Sequence, residues 1–171
     1  MTEILVSQKT PVLDARPLRH RVGLIALATD HTSEVDYARM LVPHGVGLYS
    51  TRIPYANPVT PETLRAMAPE LARAAALILP DEALDAVIYG CTAASVCIGD
   101  AAVALAIRQG KPGVLVITPV SATLAGLRAF GARRISVLTP YSVATSRPMA
   151  DLFEAEGFTL DRFTCLDMDD D

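Results

Sequence analysis

The sequence predicts an α/β protein with parallel sheets flanked by helices. Three observations carry that expectation. Short runs of Val, Ile and Leu alternate with amphipathic stretches, the pattern of βα units around a parallel sheet. Gly and Pro punctuate the joins between them. Of the 171 residues, 51% are apolar but only 5% are aromatic, which fits Ala- and Leu-rich helices packed on a small sheet.

Residues 1–20 read as an N-terminal arm, with Pro11 and Pro17 breaking any regular element. The first strand is Arg21 to Leu27. The polar turn Thr29-Asp30-His31-Thr32-Ser33 leads into a short helix ending near Leu41, with Thr32 or Ser33 as its cap. Gly45 to Ile53 alternates and forms a less buried second strand. Thr60-Pro61-Glu62 opens a helix, Thr60 as cap and Pro61 at the first helical position, and Pro69 kinks or splits it before Leu79. The third strand is Asp85 to Gly90. A helix follows from about Ala94 to Gln109, ended by Gly110. Val114 to Ile117 is the fourth strand, and Pro119 opens a helix that ends near Gly131. Ile135 to Leu138 is the fifth strand, with Thr139-Pro140-Tyr141 as a loop behind it. A helix from about Ala144 to Glu156 stops at Gly157, and Phe158 to Leu166 is the last strand. The chain ends in the acidic run Asp167 to Asp171, with no helix behind that strand. Such an ending is unusual for an α/β sheet, so the chain is expected to be a fragment or to take its remaining helices from elsewhere.

The charge of −4 at pH 7, with no basic patch, gives no reason to expect a nucleic-acid partner. The apolar runs are too short and too often broken by charge to span a bilayer, and no secretory signal opens the chain. Three cysteines without metal-type spacing suggest reduced thiols, a cytoplasmic protein and no bound metal. Neither a phosphate loop nor a Gly-x-Gly-x-x-Gly fingerprint is present, and no cofactor is expected.

Ligands of parallel α/β sheets bind beyond the carboxyl ends of the strands. Four polar loops fall there: Thr29 to Ser33, Cys91 to Ser95, Thr118 to Ser121 and Thr139 to Ser142. Gly90-Cys91-Thr92-Ala93-Ala94-Ser95 says most. A cysteine between a buried strand and a helix start meets backbone N–H groups that stabilise a thiolate, and small neighbours leave room for a carboxylate. Cys91 is therefore expected to be at least partly accessible, with a depressed pKa. The competing reading is a buried structural cysteine, the usual fate of free Cys. Cys97 and Cys165 read as packing residues. Tyr141 either donates a hydrogen bond to an anionic substrate or packs as a turn residue, and Ser142 can cap the helix after it. Asp30, beside His31, offers acid/base chemistry or a helix cap.

Asp85-Ala86-Val87-Ile88-Tyr89-Gly90-Cys91-Thr92-Ala93-Ala94-Ser95 resembles the first cysteine motif of maleate cis-trans isomerases, ectoine-utilisation protein A and the aspartate/glutamate racemases. Ile135 to Tyr141 resembles the strand and loop that carry a substrate-binding tyrosine in the isomerases and arylmalonate decarboxylases. Gly23-Leu24-Ile25 through Glu34 resembles their opening strand and polar loop. The resemblance implies an Asp/Glu-racemase-like fold of two similar halves with the site between them, residues 21–118 forming the first α/β half and residues 119–171 the start of a second, incomplete one. It implies a cofactor-independent enzyme acting on a small carboxylate or amino-acid-like substrate, with a homo-oligomer left open. Cys91 would be nucleophile or acid/base, and Tyr141, Ser142, Thr92, Ala93 and Asp30 would line the substrate. The isomerases have asparagine where this chain has Asp30. That charge opposes a dicarboxylate and suits an ectoine-derived substrate carrying nitrogen. Decarboxylases typically lack a cysteine at the first position, so Cys91 points away from a carbon–carbon lyase. No second Gly-Cys-Thr segment is present. The alternatives are a carbon–carbon lyase (decarboxylase) on the same scaffold, and a non-catalytic ligand-binding or truncated product.

Overall fold

The computed structural model describes residues 2–13, 17–55 and 57–168. Part of the N-terminal arm and the last three acidic residues lie outside them. Among the described residues, six strands and seven helices follow in order: β1 His20–Leu27, α1 Ser33–Leu41, β2 Val46–Ile53, α2 Pro61–Arg65, α3 Glu70–Leu77, β3 Ala86–Tyr89, α4 Thr92–Ile98, α5 Asp100–Gly110, β4 Leu115–Ile117, α6 Pro119–Ala129, β5 Arg134–Tyr141, α7 Val143–Ala155 and β6 Thr159–Met168. A short 3-10 turn, Val42–His44, joins α1 to β2.

The expected α/β fold with parallel sheets is present. Four parallel strands lie in the order β2-β1-β3-β4, and β5 and β6 form a separate parallel pair. Side chains alternate across the first sheet. Val87 and Tyr89 enter a core with Leu71, Ala75, Val103 and Ile107 of α3 and α5, while Ile88 joins Leu24 and Ala26 on the other face, against Tyr37 of α1. Leu24, Ile25, Val87 and Tyr89 are fully buried. At about 1.5–3 kcal/mol for each large apolar side chain removed from water, these strands anchor the molecule. A second core lies between α6, α7 and the β5–β6 pair, built on Val120, Leu124, Met149, Phe153 and Phe158. Phe153 and Phe158 meet edge to face at 6.2 Å.

Pro69 splits its helix as expected: α2 stops at Arg65 and α3 starts at Glu70. The helix after β3 differs from expectation. It begins at Thr92 rather than Ala94, and Gly99, at φ +89°, divides it into α4 and α5. Gly110 does not stand beyond the helix as a stop; it is the last residue of α5. A Cβ there would lie 2.1 Å from the carbonyl oxygen of Ala72, so the residue lets α5 lie against α3. Tyr141 is not in a loop but ends β5, which runs three residues past the expected Leu138. Among the described residues, no helix is long and apolar enough to cross a membrane.

Candidate active site

The strand order reverses between β1 and β3, since β2 lies on one side of β1 and β3 and β4 on the other. The two loops leaving neighbouring strands at such a reversal diverge and open a crevice at their carboxyl ends. A cavity of about 560 Å³ occupies this place. Its walls are Leu27 and the loop Thr29–Ser33 after β1, the segment Gly90–Ala93 after β3, Tyr55 beyond β2, and Tyr141 at the end of β5. Cys91, Thr92, Ala93, Tyr141 and Asp30 therefore share one cavity. Ser142 is not in its lining. The Ser142 hydroxyl instead accepts a hydrogen bond from the Thr145 N–H at the start of α7, 3.3 Å away.

Cys91 has extended backbone and is the cap residue of α4. It is 6% exposed, less accessible than its position at the junction suggests, because it also packs in the core of the first sheet. Its carbonyl accepts hydrogen bonds from the Ser95 N–H at 3.1 Å and the Ser95 hydroxyl at 2.6 Å, which fixes the turn between strand and helix. Thr92 and Ala93 open α4, so their N–H groups find no acceptor within that helix. Burial pushes the thiol pKa of Cys97 up, in keeping with a packing role. Cys165 lines a small cavity away from Cys91, beside Phe163 and Arg147.

Neither Thr32 nor Ser33 caps α1 through its side chain. Asp30 does so, its Oδ1 accepting the N–H groups of both residues at 2.9 Å. Partial burial pushes the Asp30 carboxyl up. Hydrogen bonds from Ser33 and Thr32 and the positive charge of Arg52 outweigh this and hold it below the ordinary carboxylate value. The residue is thus an anion at neutral pH in the cavity wall.

Arg52, which sequence reasoning passed over, holds the same loop. From β2 its Nη1 donates to the carbonyls of Leu27 at 2.9 Å and Asp30 at 2.8 Å, and its Nη2 to Glu34 at 2.5 Å. Tyr55 was also missed. The available signal was an aromatic residue directly beyond the carboxyl end of β2. The serine and threonine hydroxyls of the two other polar loops go to structure. Thr118 and Ser121 form a capping box on α6, and Thr139 bonds Ser146 at 2.8 Å in the interior. Among the described residues no cluster of three or more His, Cys, Asp or Glu is arranged to hold a metal ion.

No family model matches the chain. Maleate isomerase of Nocardia farcinica is 30% identical over 160 residues, which are 88% of this chain and 63% of that protein. The chain thus spans less than two thirds of this relative's length. A structure of the Nocardia farcinica maleate cis-trans isomerase, a cysteine-to-serine variant with a covalently bound succinylcysteine intermediate, superposes with a TM-score of 0.76 over 88% of this chain and 65% of the other. Maleate isomerase from Pseudomonas putida gives the same score and coverage at 25% identity. A liganded double variant of arylmalonate decarboxylase is 26% identical with a TM-score of 0.74, covering 87% of this chain and 63% of the other. In fold, in sequence and in the Cys91 segment at the switch point, the chain is similar to the maleate isomerase branch of the aspartate/glutamate racemase superfamily.

Proposed function

We propose that the chain carries the first cysteine half-site of a cofactor-independent isomerase acting on a small unsaturated carboxylate. The observation that supports this most is the common cavity of Cys91, Tyr141 and the start of α4. In this reading the Cys91 thiolate adds to one carbon of a cis double bond. Its electron pair forms the C–S bond, and the π pair moves to the neighbouring carbon, next to a carboxylate. That carbon–carbon bond is then single and rotates. Expulsion of the thiolate re-forms the double bond in the trans geometry, so atoms and electrons balance without an added redox partner. The succinylcysteine held by the Nocardia relative is an adduct of this kind on that protein. Tyr141 donates its phenolic hydrogen to a substrate carboxylate, and the N–H groups of Thr92 and Ala93 assist. The unit β5–α7–β6 repeats the parallel order of β1–α1–β2, which supports reading residues 119–171 as the start of a second half.

Asp30 favours a narrower substrate. A fixed anion in the wall, with no Lys or Arg among the described residues lining the cavity, opposes a dianion such as maleate. A carboxylate that also carries a cationic nitrogen, of the ectoine-utilisation type, suits it better.

The test is covalent trapping and turnover. Maleate and nitrogen-bearing unsaturated carboxylates are incubated with the chain, followed by peptide-resolved mass spectrometry and chromatographic separation of the isomers. The expected result is a substrate-mass adduct on the Cys91 peptide that Cys91→Ser abolishes, a hydroxyl being a far weaker nucleophile at neutral pH. Tyr141→Phe is expected to cost roughly 1.5–3 kcal/mol, about 10- to 150-fold in kcat/KM. Absence of any adduct or turnover, with Cys91 alkylating like a free thiol of pKa about 8.5, would sink the proposal.

A further inference from the structure

The environment of Cys91 raises a question that the proposed chemistry leaves open. A thiolate in an apolar core is disfavoured, because burial penalises the charged form. Cys91 is 6% exposed and belongs to the same packed cluster as Val87, Ala94 and Met67. It needs hydrogen-bond donors from inside the protein. One stands two residues earlier. The extended backbone at Cys91 continues the alternation of β3, so Tyr89 and Cys91 fall on the same face of the sheet.

Tyr89 is fully buried, and a buried phenol requires a partner for its hydroxyl. That hydroxyl lies 4.0 Å from the Sδ of Met67, and Cys91, two residues further along the same face, packs in the same cluster. A thioether is a weak acceptor and a thiolate a strong, charged one. We infer that Tyr89 is the positioning residue of Cys91, its buried hydroxyl donating to the cysteine sulfur and stabilising the thiolate in the otherwise apolar back wall of the cavity.

Burial first, and the neighbouring Cys91 second, keep the phenol protonated far above its ordinary value, so it remains a donor throughout the pH range in which the thiol titrates. Among the described residues, the other titratable groups packed on this cluster or lining the cavity are Tyr49 of β2, Tyr55 beyond it, Cys97 of α4, Asp30 and His31 after β1, and Tyr141 at the end of β5. Asp30 opposes a thiolate, which makes a buried donor behind the sulfur more necessary. Tyr89 does not line the cavity, so it acts on the reaction only through Cys91.

The inference rests on the thiolate reading of Cys91, and its test separates the two. Alkylation of the whole chain by iodoacetamide is followed against pH, with Cys91 and Cys97 resolved by peptide mass. Tyr89→Phe keeps the ring and is expected to raise the Cys91 midpoint by about one unit, a roughly tenfold loss of thiolate below the midpoint. The Cys97 profile and the unfolding midpoint should barely move. Placing 3-fluorotyrosine, a stronger donor, at position 89 should lower the Cys91 midpoint instead. A folded Tyr89→Phe protein with an unmoved and depressed Cys91 midpoint overturns the inference alone. If that variant does not fold, an unmoved midpoint with fluorotyrosine overturns it. An ordinary thiol midpoint in the unaltered chain overturns the thiolate reading and this inference with it.

Discussion

The Asp30 carboxylate holds the start of α1 with one oxygen and forms part of the cavity wall, so its two roles have to be separated by substitution. Asn keeps an acceptor at the same position and is as good a cap as Asp, whereas the charge is lost. Asp30→Asn should leave the fold intact and strengthen binding of a dicarboxylate on the order of tenfold, the scale of one unit-charge repulsion across a few ångströms at a protein surface. Nitrogen-bearing carboxylates should weaken by a similar factor. Titration of both ligand types against both proteins checks this; unchanged preference would remove Asp30 from the specificity argument. At this scale, Cys91 and Tyr141 stand out as candidates in the sequence because each lies at the carboxyl end of an apolar strand segment, and the two share one cavity. Arg52 and Tyr89 do not stand out. Arg52 acts on carbonyls of Leu27 and Asp30 more than twenty residues away, and Tyr89 looks like any core aromatic until its hydroxyl is placed beside sulfur.

Among the elements, the helices around the first sheet owe their arrangement to two glycines and a proline. Pro69 announced its break, because a proline removes an N–H and clashes with the preceding turn wherever it stands. Gly99 announced nothing, since an isolated glycine within a helical pattern is usually tolerated. Its positive φ turns the chain so that α4 packs on α6 and α7 while α5 packs on α3. Gly110 has the ordinary look of a helix stop, and only the 2.1 Å approach of a built Cβ to Ala72 reveals its use. Gly110→Ala gains helix propensity but must push two helix backbones apart. The net effect should be a loss of about 1–3 kcal/mol, as for other overpacked sites. For a chain of this size that lowers the thermal midpoint by about 2–4 °C per kcal/mol. A melting curve decides, and a variant as stable as the parent would mean that α3 and α5 slide apart without cost.

Across the whole molecule, two packed clusters meet near the cavity, and Tyr141 touches both. α/β class and parallel pairing could be anticipated from alternating periodicities. The order β2-β1-β3-β4 could not be seen in the pattern, because nothing local says which strands share an edge. Acid should weaken the assembled fold. Asp85, bonded by the Arg21 N–H at 2.7 Å and by His20, titrates below its ordinary value, as does Asp30. Both are carboxylates whose folded pKa is depressed. Their stabilisation is complete above the unfolded value near 3.8 and is lost as pH falls through the folded values, so urea midpoints should drop below about pH 4 and stay level above it.

The join between the two clusters offers the sharpest test of how the molecule holds its site. Thr145, at the start of α7 and 2% exposed, donates its hydroxyl to the carbonyl of Val59, 3.0 Å away in the segment that leads into α2. Its hydroxyl also receives the Ser142 hydroxyl at 3.2 Å, so the end of β5, where Tyr141 stands, is tied through the α7 cap to the first sheet's helices. Thr145→Val keeps the shape and removes the donor, leaving a buried carbonyl to lose this partner at about 1–3 kcal/mol. Because Val fills the same space, the loss should appear as weakened docking of β5–α7–β6 more than as collapse of either core. Hydrogen exchange should therefore quicken in α7 and in residues 57–60, with β1 and β3 still protected. Uniformly faster exchange would instead show that the two clusters unfold as a single unit and that this bond has no special place in holding Tyr141 over Cys91.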